Sequence, residues 1–197
     1  MEILLSVCIG IGLSAACGFR VFVPLLVMSI AAMSGHLTLA KGFDWIGSYP
    51  ALIAFSVATI LEIAAYYIPW VDNLLDTIAT PAAIVAGTLV TASLVTGTSP
   101  FLKWALAIIA GGGVAGLVQG TTVLARGASS AGTGGLANPL LATAELGGSI
   151  LTAVLALLAP VLVVLVLAIL FAFFGRKLFR RTRSGARTLL SAAAPDK

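Results

Sequence analysis

The chain has 197 residues, 60% of them hydrophobic and only 9% charged, with a net charge of +4. A soluble domain carries roughly a quarter charged residues, so this chain cannot clothe a water-facing surface. Its apolar runs are also too long for barrel strands, which leaves an all-α, polytopic membrane helical bundle.

The charge is unevenly placed. Residues 1–175 hold four basic and six acidic side chains, net −2, and read as one transmembrane domain. Residues 176–197 hold seven basic and one acidic side chain, net +6. Such a tail reads as a positive-inside anchor against anionic lipid, which puts the C-terminus in the cytoplasm. No folded basic module accompanies it, so nucleic acid is not an expected partner.

The N-terminus has Glu2 and no basic stretch, unlike a cleavable signal. Ile3 to Ser34 is apolar almost throughout. As one helix it would run roughly 48 Å, against a bilayer core of about 30 Å. The natural break is Cys17-Gly18-Phe19-Arg20, with Pro24 a turn later, giving two half-helices as a kinked or re-entrant pair. Arg20 sits at the break and either faces inward or snorkels to a headgroup. Cys8 and Cys17 are nine residues apart in this segment and read as small packing residues.

Gly35 to Pro50 is a polar connection, with Trp45 and Tyr49 as interfacial belt residues. His36 there is either solvated or a proton carrier. Ala51 to Pro69 is about one bilayer thick and carries Glu62, with Tyr66 one turn on and in reach of a hydrogen bond. Trp70 marks the interface. Asp72 and Asp76 share a face of a short amphipathic stretch and are a weak candidate for a divalent cation. Thr80 and Pro81 read as the cap and first turn of the next helix.

Pro81 to Thr98 is rich in small and hydroxyl residues suited to close packing. Phe101 to Ala125 follows, with Gly111, Gly112, Gly113, Gly116 and Gly120 giving a smooth face. Arg126 to Gly135 (RGASSAGTGG) reads as a loop, either disordered or a backbone-donor cradle for an anion. Leu136 to Phe174 would run roughly 58 Å as one helix. A short inserted piece from Asn138 to Gly148, then a full span, is expected there, with Glu145 in the inserted piece.

The candidate site is therefore Arg20, Glu62, Asp72, Asp76, Arg126, Asn138 and Glu145, with Arg–Glu pairs that neutralise each other inside the membrane. Gly12-Leu13 precedes Arg20 much as Gly116-Leu117 precedes Arg126, and an acidic residue follows each arginine. This weak symmetry raises an inverted repeat of 1–98 and 101–175. No HExxH, Gly-x-Ser-x-Gly or Cys/His cluster occurs, so no catalytic residue, metal or cofactor is assigned, and an enzyme is the less expected class.

Gly18-Phe19-Arg20 followed by Pro24-Leu25-Leu26, then Glu62, Ile68-Pro69, Asp72, Asp76 and Thr80, resembles an uncharacterised bacterial membrane family classified only as a domain of unknown function. Arg126, Asn138 and Glu145 continue the resemblance. It departs at Tyr66 and Leu146, where that family has an acid, at Ala79 (a His) and at Thr122 (a Lys). The resemblance implies a bacterial inner membrane and one shared site, but no activity.

Three functions fit these residues. The first is a small transporter or channel for a small charged solute or ion, working as a homo-oligomer in the bilayer. The second is a lipid-phosphate flippase or other lipid-handling protein. The third is a structural or assembly protein whose charges only staple helices.

Overall fold

A computed structural model of the chain describes residues 2–68, 71–173 and 175–176. It is helical, with no strand among the described residues. The basic tail from residue 177 onward, Pro69 and Trp70 lie outside the described residues, and so do the expectations placed on them.

The first apolar run is broken as its length requires. Helix α1 (Glu2–Phe19) ends at Arg20, and α2 (Phe22–Met33) resumes two residues later. Helix α1 is the hub of the bundle and packs against α4 (Val71–Leu94), α6 (Gly113–Thr133) and α7 (Asn138–Leu158). Its small residues make that possible: Ser14, Ala15, Ala16 and Cys17 are fully buried. At Gly12 and Gly18 a side chain would collide with Ala156 and Val118 respectively.

A short 3-10 turn (Asp44–Gly47) leads into α3 (Tyr49–Tyr66). Ser48 caps α3, its hydroxyl accepting from the Ala51 N–H at 3.3 Å. Ser48→Ala should cost about 1 kcal/mol of stability, read as a lower thermal midpoint in detergent. The Ala40 N–H donates to the Ser93 carbonyl at 2.7 Å, and the Lys103 ammonium lies 4.6 Å over the Phe43 ring. The connection after α2, the end of α4 and the start of α5 (Pro100–Leu106) therefore share one end of the bundle.

Among the described residues, four helical stretches are long and apolar enough to cross a membrane: Tyr49–Tyr66, Leu74–Leu94, Pro100–Thr133 and Asn138–Leu158. Ile3–Phe19, Phe22–Met33 and Pro160–Phe173, the last being α8, are shorter apolar helices. The protein is an integral membrane protein on this pattern.

Three local expectations are corrected. Pro81 does not start a helix; it lies inside α4, and the Thr80 hydroxyl donates to the Asp76 carbonyl at 3.1 Å instead of capping. The Arg126–Gly135 stretch is not a loop either. Helix α6 continues to Thr133 and stops only at Gly134 and Gly135, both with positive φ. Inside an apolar medium the backbone must satisfy itself, and that outweighs the poor helix propensity of Gly and Ser. The Thr133 hydroxyl helps by donating to the Ser129 carbonyl one turn back. Finally, Asn138 to Gly148 is no separate inserted piece but the first half of α7, which is interrupted at Ala159 and Pro160.

Helix α5 passes into α6 through a π-helical turn, Ala107–Gly112, which lies against α4. That turn sets Gly111 and Gly112 directly on Gly87 and Thr88.

Candidate functional site

Three helices each present a one-sided polar stripe. On α3 it is Thr59, Glu62 and Tyr66; on α6 Gln119, Thr122 and Arg126; on α7 Asn138, Glu145 and Ser149. These residues recur at intervals of three, four or, from Asn138 to Glu145, seven residues, so each set lies on one face of its helix. The faces meet at the α1–α2 joint. The close approach of Gly18 to Ala115 and Val118 of α6 carries the joint inward, so Arg20 starts from the interior and is 1% exposed.

Glu145 is the anionic centre. Arg126 grips it with two nitrogens: Nε donates to Oε1 at 3.1 Å and Nη2 donates to Oε2. The third nitrogen, Nη1, donates to Asp76 Oδ1 at 3.3 Å. Such a planar fork is the guanidinium's particular advantage over an ammonium. Arg20 approaches the same carboxylate, with Nη2 at 3.6 Å from Glu145 Oε2, and Nη2 also donates to the Ala142 carbonyl at 2.9 Å. Its Nε and Nη1 are buried and have no hydrogen-bond partner among the described residues.

Tyr66 is shared between the cations. The Arg20 guanidinium carbon lies 3.7 Å from the centre of its ring, and that of Arg126 lies 4.1 Å from it. A desolvated contact of this kind is worth about 2 kcal/mol. The expected hydrogen bond from Tyr66 to Glu62 is replaced by these ring contacts. The aromatic ring thus stands beside both arginines at the position where the resemblance leads one to expect an acid.

Glu62 does not pair with Arg20. Its Oε1 accepts from the Val21 N–H at 2.7 Å and its Oε2 from the Phe22 N–H at 3.1 Å. Those amides open α2, where the first N–H groups have no helical acceptor, and a carboxylate also suits the helix dipole. Glu62 is thus a cap supplied from a neighbouring helix.

Most of the expected set converges: Arg20, Arg126, Glu145 and Asp76 form one ion network, with Glu62 beside it. Asn138 stands apart. It is buried two turns before Glu145, and its Nδ2 donates to Ser130 Oγ at 3.3 Å, tying α6 to α7. The side chain of Asp72 lies outside the described residues. The network is also not central in the bundle. Arg126 and Glu145 are each seven residues from a helix end, or about 10 Å, on the side away from Lys41 and Lys103. The two arginines differ locally, Arg20 in a break and Arg126 inside a helix.

Sequence reasoning missed the Val21 and Phe22 amides, the Ala142 carbonyl and the ring of Tyr66 as site groups. A readable signal existed for the first: a helix restarting just before Pro24 leaves free amides near an intramembrane acid.

A family model, Domain of unknown function (DUF4126), matches residues 7–180. The chain belongs to this family. No curated protein and no solved structure matches it. In this DUF4126 chain, Tyr66 and Ala79, two of the four departures noted in the sequence, both line a cavity of about 410 Å³ beside Glu62. Thr122, a third, sits one turn before Arg126, and its hydroxyl donates to the Gln119 carbonyl at 2.9 Å.

Proposed function

We propose that the protein is a small membrane transporter or channel for a small anionic solute, with Arg20, Tyr66, Arg126 and Glu145 at its binding site. The observation that carries this reading is Arg20, a buried cation at a broken helix with two donor nitrogens unpartnered. Burying a charged donor without an acceptor is costly, so such a group persists where a ligand or water visits it. Broken helices beside intramembrane charges are a usual feature of transport sites.

On this reading the chain sits in the bacterial inner membrane with its basic tail in the cytoplasm. A chain this short works as a homo-oligomer, using glycine-rich faces as contacts. Arg20→Gln is expected to lower anion flux in proteoliposomes by at least about tenfold, equivalent to about 1.4 kcal/mol, while the purified protein keeps its oligomeric state. Unchanged flux would remove Arg20 from the pathway.

A second reading, lipid handling, is favoured by one observation. The cavity beside Glu62 has almost wholly apolar walls, and Leu61 and Ile78 on it are exposed in membrane-spanning helices. Absence of flux together with a phospholipid held by the wild type, but released by Arg20→Gln, in native mass spectrometry would favour it.

A further inference from the structure

The three described acids of the site differ in what holds them. Both Glu145 oxygens are taken by Arg126, with Arg20 close by. Asp76 Oδ1 is taken by Arg126 as well. Glu62 has no basic side chain within 4 Å among the described residues; its two oxygens accept only from backbone N–H groups of Val21 and Phe22.

The surroundings of Glu62 differ too. It is 8% exposed and forms part of the cavity wall between the start of α2, α3 and α4. Apart from Tyr66, the rest of that wall is apolar, including Phe22, Leu61, Leu75 and Ile78. Leu61 and Ile78 are 63% and 60% exposed, so the cavity borders the lipid-facing surface of the bundle. The charged and titratable groups around Glu62 are the buried Cys17 thiol on α1, Arg20 at the joint, Tyr66 on α3, Asp76 on α4, Arg126 on α6 and Glu145 on α7. Helix α2 contributes backbone amides alone.

We propose that Glu62 is a proton-binding site, reached from the lipid-side cavity, whose protonation loosens the first turn of α2. The chemistry follows from the donor count. A carboxylate accepts from both amides, whereas a carboxylic acid keeps one carbonyl acceptor and turns its other oxygen into an O–H donor. One of the Val21 and Phe22 amides then loses its anionic acceptor, and with it goes one of the two hydrogen bonds that tie α3 to the α1–α2 joint. The joint carries Arg20, so a proton on Glu62 is linked to the position of the cation assigned to solute. This deepens the transport reading, on which it rests for its purpose, by naming the coupled ion.

The test is labelling of the full-length wild-type protein in lipid vesicles with dicyclohexylcarbodiimide, an apolar reagent that attacks protonated carboxyls. The acid O–H adds across one C=N bond of the reagent, the proton passes to nitrogen, and the adduct rearranges to a stable N-acylurea with no atom lost. Peptide mass spectrometry should find the adduct on Glu62, increasing as the medium is acidified and falling about tenfold per pH unit where the ionised form dominates. Glu145 should stay unlabelled. No adduct on Glu62 at any pH, an extent independent of pH, or labelling of Glu145 in its place would each overturn the proposal.

A second measurement reads the tie itself. Glu62→Gln imitates the protonated form, and amide hydrogen exchange at Val21 and Phe22 should then be faster than in wild type at the same pH. Unchanged protection overturns the coupling. The labelling needs no variant and no flux, so labelling without anion flux would keep the proton site and remove the transport reading, while flux without labelling would do the reverse.

Discussion

Glu145→Leu is expected to destabilise the protein by about 3–5 kcal/mol, the largest effect of any single change in the site. The carboxylate accepts two hydrogen bonds from Arg126 and lies 3.6 Å from Arg20, and all three residues are buried. Removing it leaves two guanidiniums in a water-poor interior, opposed among the described residues by Asp76 and by the Glu62 carboxylate engaged at α2. Breaking one side of such a pair costs far more than removing both. Arg126→Met with Glu145→Met should therefore recover part of the loss, since two apolar chains replace a desolvated pair while Arg20 and Asp76 each still lose a partner. Denaturant unfolding in detergent micelles measures both variants. Equal stability of the single variant and wild type would mean that the network is wet and weakly coupled. A stable double variant that also lacks flux would separate the network's role in holding helices from its role in transport.

Gly111→Ala should also be severe, at about 1–3 kcal/mol or more. A β-carbon at Gly111 would stand 2.4 Å from the Gly87 carbonyl oxygen, 2.4 Å from Thr91 Oγ1 and 2.8 Å from Thr91 Cβ. The first of these is backbone and cannot rotate away. Helix α4 would have to retreat from the π-helical turn. Such a shift would also disturb Ser14, whose hydroxyl donates to the Gly87 carbonyl at 2.8 Å and meets the Thr91 hydroxyl at 3.0 Å. Gly113→Ala is the matched control. It lies two residues on in the same continuous helical stretch, and its β-carbon would meet nothing within 4 Å. It should be neutral or gain a few tenths of a kcal/mol, up to about 1 kcal/mol, from helix propensity. Thermal midpoints of the two variants that fall together would overturn the close-packing account.

The glycines of α1, α4 and the π-helical turn let three backbones approach closely, and that approach brings the α1–α2 joint against α6 and α7. The ion network then occupies the space between α3, α6 and α7 near one end of the bundle. Close packing and charge burial are thus linked, because a shift of α6 away from Gly18 would move Arg126 relative to Arg20.

Some of this was legible in the residues. The break at Arg20 followed from an apolar run longer than a bilayer with Gly18 and Pro24 inside it. That Arg20, Arg126 and Glu145 turn toward partners followed from the cost of leaving them in oil; Asp76, read on a short amphipathic stretch, joined the expected set without that reason. Other features were misread because they depend on surroundings. The glycines and serines of residues 126–135 have loop-like propensities, but an apolar medium leaves a helix as the cheapest way to satisfy their backbone. Pro81 looked like a start signal, yet α4 already runs from Val71.

The amino-acid sequence by itself determined that this is a helical membrane protein, where its first helix breaks, and which ionisable groups lie within apolar stretches. Those are local properties, set by run length, hydropathy and the few residues that interrupt a helix. Only the tertiary structure decided the partners: Glu145 with two arginines, Tyr66 between the same two cations, and Glu62 with the amides of α2. Contacts between residues 19 to 125 positions apart depend on how the helices close on one another. A carboxylate in oil can be satisfied equally well by a guanidinium or by a helix's free N–H groups, so composition and spacing could not choose between them.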